Sequence, residues 1–181
     1  MAGRDKSQLL IDGRTILERQ IDALEGLVAR IRLVGYRGTV PAGLPVSPLA
    51  DRRPECGPLG GLDAALAAAG TDDVLLLACD LPNVTRPMLA HLIHLRGGAD
   101  AVVPRTERGY HPLCAVYAQS CREPVERRIE EGSLRMQDLL SELKVRVVTG
   151  PEFEPFGEAD RLLANVNTLA DLDALESLRN H

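Results

Sequence analysis

No stretch of this 181-residue chain holds the roughly 18 to 20 consecutive apolar residues that a membrane span requires, and its polar start lacks a basic segment running into an apolar one. A cytoplasmic protein without a membrane partner is the expectation. Cysteine is sparse and scattered. Cys56, Cys79, Cys114 and Cys121 form no CxxC pair, which argues against a zinc site or a disulfide framework and for reduced, mostly buried thiols. An excess of positive charge is also missing: 21 Lys plus Arg face 26 Asp plus Glu, a formal net charge of -5, so nothing draws the chain onto nucleic-acid phosphates. Internal repeats, low-complexity tracts and long linkers are absent. Lysine itself is rare, because 19 of the 21 basic side chains are arginine and only Lys6 and Lys144 are lysine.

What is present is an ordinary globular composition, 45% hydrophobic and 26% charged, at a length that fits one domain. A single domain over residues 1–181 is expected. Apolar runs of strand length alternate with helical patterns, the signature of an α/β domain with a mostly parallel sheet flanked by helices. Residues 74–79 (VLLLAC) are apolar on both faces and predict a central strand ending in Asp80. Shorter strands are expected at Ile31 to Val34, Ala101 to Val103, Cys114 to Tyr117 and Val145 to Val148.

Thr15 followed by Glu18 is a capping-box pattern, and Leu17, Ile21, Leu24 and Val28 then share one helical face. Asp12-Gly13 marks a tight turn before it. Gly60-Gly61 is expected to open an Ala/Leu-rich helix closed by Gly70, and Thr85 caps a helix that ends at Gly97-Gly98. Glu123 to Glu131 reads as a helix stopped by Gly132, with another after Ser133. A last helix, Leu169 to Leu178, follows the Thr168/Asp171 cap.

Several constellations could carry chemistry. Asp80 stands at the C-terminal end of the best strand, where open α/β sheets bind ligands, and an aspartate there can hold magnesium together with substrate phosphates. The same aspartate could instead cap the following Leu81-Pro82 turn. Gly57-Pro58-Leu59-Gly60-Gly61 could present backbone N–H groups to a nucleotide, or serve only as a tight turn. Lys6, beside Arg4, could neutralise charge on a polyphosphate, or lie in a frayed terminus. Asn165 and Asn167 alternate on one face of an extended segment, where their carbonyls could complete an oxygen shell around magnesium and their amide N–H groups could donate to phosphate or a pterin edge, or both could simply bond the local turn. His111 suits a substrate wall or a structural turn. His91 and His94 read as surface residues.

In this order, GRDK, the DG turn, the ERQ helix, DRRPECGPLGG, the CDLP strand end, the HPL turn, the GSLRMQDLL helix and NVNT resemble the molybdenum cofactor guanylyltransferase family. The resemblance runs nearly end to end. It implies a Rossmann-like nucleotidyltransferase domain that moves GMP from GTP onto molybdopterin and releases pyrophosphate, using magnesium, with molybdoenzymes as recipients of the product. It further implies that Lys6 meets the GTP phosphates, that Asp51 contacts GTP, that Asp80 binds GTP and metal, that Gly57 to Gly61 line the guanine pocket, and that Asn165 and Asn167 face the pterin or metal. Lys6 and Asp80 would be the catalytic pair.

A molybdopterin cytidylyltransferase or another nucleotidyltransferase is the nearest alternative, though GPLGG, CDLP and the paired asparagines fit the guanylyl branch better. A catalytically silent molybdopterin-binding module is the alternative from another class. The family's usual opening strand and LAGGxSxRMG phosphate loop have no counterpart here, and that strand would sit mid-sheet, so about 20 upstream residues or a defective form are expected. Gly35 stands where the family can carry a nucleotide-touching asparagine.

Overall fold

The computed structural model describes residues 9–11, 13–36, 40 and 43–166. Lys6, Asp12, Asn167 and the expected last helix lie outside them.

β1 (Leu10–Ile11) and β2 (Arg14–Thr15) pair antiparallel across a turn that Gly13 makes at φ +76°, a left-handed value open to glycine. α1 (Ile16–Leu24) starts where the capping box predicts: the Glu18 N–H donates to Thr15 Oγ1 at 3.1 Å, and the Thr15 N–H donates to Glu18 Oε2 at 2.7 Å. Its buried face holds Ile16, Leu17, Ile21, Ala23 and Leu24, with one polar intruder, Gln20.

β3 (Ile31–Val34) and β4 (Val46–Leu49) pair in parallel, Ile31 opposite Val46. Next come α2 (Gly57–Ala69), β5 (Val74–Leu77) and α3 (Arg86–His94), the last capped by the Thr85 hydroxyl, which accepts from the Met88 N–H. α2 begins at Gly57, not Gly60, because Pro58 is already set for a first helical turn where no N–H bond is needed.

The remaining elements are β6 (Ala101–Thr106), β7 (Gly109–Tyr110), β8 (Cys114–Tyr117), α4 (Arg122–Glu130), α5 (Met136–Leu140), β9 (Val145–Val148), α6 (Gly150–Phe153) and α7 (Ala159–Leu162).

The sheet runs β5-β8-β6, and β6 also pairs with β7 and β9. It is mixed rather than mostly parallel. β3–β4 and β6–β9 are parallel, whereas β8 runs against both β5 and β6. The β6 to β8 connection is a short hairpin around β7, too short for the crossover that a parallel partner needs.

Alternation along β6 and β8 divides the interior in two. Ala101, Val103, Ala115 and Tyr117 face a core built with Leu59, Leu62 and Leu66 of α2, Val125 of α4 and Leu139 of α5. Val102, Cys114 and Val116 face the other, built with Met88, Leu89 and Leu92 of α3, Ala23 and Leu24 of α1, Phe153 and Leu162. Each fully buried leucine in these layers contributes about 1.5–3 kcal/mol.

β5 departs from expectation. Among the described residues it pairs only with β8, so it forms the edge of its sheet, and all four of its residues are half-buried. β3 likewise pairs only with β4 among the described residues, and β3 and β5 both pack against α2.

Candidate nucleotide site

The segment between β4 and α2 is fixed from below by α2. Asp63 is the one charged residue in that helix and is fully buried. Arg52 Nη1 donates to Asp63 Oδ1 at 3.2 Å and lies 3.6 Å from Glu126 on α4. Arg53 Nε lies 3.9 Å from Asp63 Oδ2, and its Nη2 lies 3.5 Å from Glu130. Two consecutive arginines thus tie the loop to α2 and α4 around a carboxylate that would be costly to bury alone.

On that base Asp51 turns back toward the helix. Its Oδ1 accepts from the Arg53 N–H at 3.2 Å. A methyl group at Gly60 would lie 3.3 Å from Asp51 Oδ1, 3.1 Å from the Arg53 carbonyl oxygen and 3.0 Å from Cys56 Cβ. Glycine at 60 therefore allows the loop to lie on the helix. Glu55 holds φ +72°, a left-handed conformation that disfavours any side chain, and Gly57 follows at +57°. The strain sits in the loop that joins Asp51 to the first turn of α2. The glycine pattern singles out Gly57 to Gly61 and the family resemblance implies Asp51; the structure brings Asp51 and Gly60 into contact range.

Asp80 follows β5 in a short turn. Its carbonyl accepts from the Val166 N–H at 2.9 Å, which brings the exposed Asn165 alongside. The Gln20 amide nitrogen donates to the carbonyls of Ala78 at 2.7 Å and Leu81 at 3.0 Å, one on each side of Asp80. Asp80 Oδ1 is buried and has no hydrogen-bond partner among the described residues. A buried anionic oxygen without a partner is unfavourable, and an incoming cation removes the deficit. One carboxylate with substrate oxygens and water suits magnesium, so the residues present fit that ion. Among the described residues no group of three or more His, Cys, Asp or Glu could hold a metal by itself.

Gly35 directly follows β3 at φ +64°, its N–H donating to the Leu49 carbonyl at 3.2 Å. His111 takes up structural partners: its N–H donates to the Pro104 carbonyl at 2.9 Å and its Nε2 lies 3.0 Å from Thr106 Oγ1. Burial pushes the His111 imidazole below its ordinary pKa, against the opposing pull of Asp160. Beyond Asp80 the chain borders a cleft of about 590 Å³ with Arg19, Pro82, Asn83 and Arg161 on its wall.

Sequence reasoning assigns no role to Gln20, which lies in the ERQ motif, or to Asp63. Each carried a signal, a lone polar residue on an otherwise apolar helical face.

A mixed α/β sheet, a carboxylate at a strand end and a glycine-rich helix start define a nucleotide-handling class of protein. The chain belongs to the family of MobA-like NTP transferase domains, which matches residues 1–147. A molybdenum cofactor guanylyltransferase of Desulfosudis oleivorans is 27% identical, over 97% of this chain and 87% of the relative. A probable molybdenum cofactor guanylyltransferase of Chloroflexus aggregans is 31% identical, again over 97% of this chain and 87% of the relative. Among solved structures, molybdopterin-guanine dinucleotide biosynthesis protein A of Archaeoglobus fulgidus superposes with a TM-score of 0.77 at 23% identity, covering 98% of this chain and 92% of that one, a likeness of fold.

Proposed function

We propose that this chain transfers GMP from GTP to molybdopterin, releasing pyrophosphate and forming molybdopterin guanine dinucleotide, with magnesium as cofactor. The observation that carries the reading is the buried Oδ1 of Asp80 just after β5, which has no hydrogen-bond partner among the described residues. Family membership and the names of its relatives supply the substrates.

In this reading Asp80 holds magnesium, which when bound offsets charge on the phosphate oxygens. Asp51 and the Gly57 to Gly61 turn hold GTP, the glycines letting the backbone approach the guanine. Lys6 offsets charge on the departing pyrophosphate as the terminal phosphate of molybdopterin attacks the α-phosphorus in line. Asn165 and Asn167 orient the pterin or complete the metal's oxygen shell. No side-chain nucleophile is needed, since positioning and charge neutralisation carry the step. The chain acts as one nucleotidyltransferase domain in the cytoplasm, and molybdoenzymes receive its product. None of the described helices is long and apolar enough to cross a membrane.

A nucleotide panel tests the reading. Pyrophosphate release from GTP, ATP, CTP and UTP is measured with molybdopterin and magnesium, and GTP is expected to exceed the others by at least about tenfold, roughly 1.4 kcal/mol of discrimination. A preference for CTP would transfer the assignment to cytidylyl transfer. Binding of molybdopterin with no pyrophosphate released from any nucleotide would make the protein a carrier.

A further inference from the structure

Asp80 lies in a turn, and a turn carboxylate stays aimed at a ligand only when the backbone beneath it is fixed. Besides the Ala78 N–H bond to the Leu113 carbonyl at 2.7 Å, which extends the β5–β8 ladder, three hydrogen bonds tie it to segments away from β8. The Val166 N–H donates to the Asp80 carbonyl at 2.9 Å. The other two come from one side chain on another element: Gln20 Nε2 donates to Ala78 at 2.7 Å and to Leu81 at 3.0 Å, taking up both amide hydrogens on carbonyls that bracket Cys79-Asp80.

Gln20 is 4% exposed, on a face of α1 otherwise made by Ile16, Leu17, Ile21, Ala23 and Leu24. Burying an amide there is unfavourable unless it is bonded, and an apolar residue would fill the space without that penalty. Both bonds run to the Asp80 turn, 58 and 61 residues away, and neither serves α1 itself. Meanwhile Asp80 Oδ1 has no hydrogen-bond partner among the described residues. The carboxylate is thus held in place through its backbone while its oxygen stays available.

We propose that Gln20 is a positioning residue for this centre, setting the Asp80 turn so that the carboxylate meets the metal that accompanies the nucleotide. It acts through the Ala78 and Leu81 carbonyls and touches neither substrate nor metal. The inference rests on the reading of Asp80 above.

The test compares Gln20→Met, similar in volume but without donors, with Asp80→Ala and the parent chain. Manganese binding in the presence of GTP is followed by electron paramagnetic resonance, and amide exchange over residues 78–82 by mass spectrometry. Gln20→Met is expected to remain folded, to exchange residues 78–82 at least about tenfold faster while the α1 segment 16–24 is unchanged, and to bind manganese at least about tenfold more weakly. Nucleotide binding without metal should move less than about twofold, a split that general loosening of the fold would not give. Parent-like manganese affinity in Gln20→Met, with affinity lost in Asp80→Ala, overturns the proposal and leaves the Asp80 reading standing. Parent-like affinity in Asp80→Ala overturns both. Should Gln20→Met fail to fold, Gln20→Asn, which keeps the amide one methylene shorter, is measured the same way, and parent-like affinity there overturns the proposal.

Discussion

Cys79 is exposed beside Asp80, whereas burial raises the thiols of Cys114 and Cys121 to a pKa of about 12. Thiolate is the reacting species, so the four cysteines divide by place. Timed labelling with a thiol reagent, followed by peptide mapping, should modify Cys79 first, the half-buried Cys56 more slowly, and Cys114 and Cys121 only after unfolding. Magnesium and GTP together should slow Cys79 at least about threefold if the neighbouring carboxylate takes the metal. Unchanged labelling would separate Asp80 from the nucleotide. Gly60 offers a second probe of the same scale. The methyl group of Gly60→Ala meets Asp51, Arg53 and Cys56 at 3.0–3.3 Å, contacts too tight to hold without a shift in the loop. A loss of about 1–3 kcal/mol in a urea melt is expected, with a raised KM for GTP in steady-state kinetics. A variant with parent stability and KM would mean that the loop does not need to lie on the helix.

At the scale of elements, α2 anchors one half of the site and the β6–β8 hairpin a corner of the sheet. Asp63→Asn removes the buried charge that Arg52 and Arg53 share, and a loss of about 1–3 kcal/mol is expected, since hydrogen bonds to charged groups are the stronger kind but both arginines are partly exposed. The GTP KM should rise with it, because the arginines fix the loop that carries Asp51. Chemical denaturation with parallel kinetics checks both, and lost stability with an unmoved KM would detach the ion pairs from the site.

His111 predicts a pH effect. Its folded pKa lies below its unfolded value, so the unfolded chain binds more protons between the two. The neutral form stabilises the fold above about pH 6.5, and that contribution is lost as pH falls from there to the folded pKa. Tm should therefore drop from pH 7.5 to 5.5, and His111→Gln should flatten the slope. Glu152 and Asp100, held below the usual carboxylate range by hydrogen bonds, from the Arg146 side chain and from Ser120 respectively, lose their contributions only at lower pH. An equal slope in His111→Gln would exclude the histidine as its source.

Over the whole molecule, layers and capped helices were legible because they rest on local rules: Thr15 and Glu18 cap α1, and Leu59, Leu62 and Leu66 recur at helical spacing. The place of Asp80 just after β5 was legible because a strand end is a place that sequence can mark. The pairing of β5 was not, since residues 74–77 show which faces are apolar but not which edges have partners. The sheet is mixed and not mostly parallel for a related reason, as the hairpin through β7 decides the direction of β8 and its strand is only two residues long. Gln20 and Asp63 escaped because their partners lie in distant or adjoining loops, and a period of apolar residues passes over the polar one inside it.

The most direct test of the account is the yield of molybdopterin guanine dinucleotide, measured by mass spectrometry after incubating the chain or its Asp80→Ala variant with GTP, magnesium and molybdopterin. The account predicts product from the parent and a loss of at least about a thousandfold in the variant, roughly 4 kcal/mol of transition-state stabilisation, with the variant's circular dichroism and melting unchanged. A folded Asp80→Ala variant that forms product at the parent's rate, or a folded parent that forms none, would contradict it.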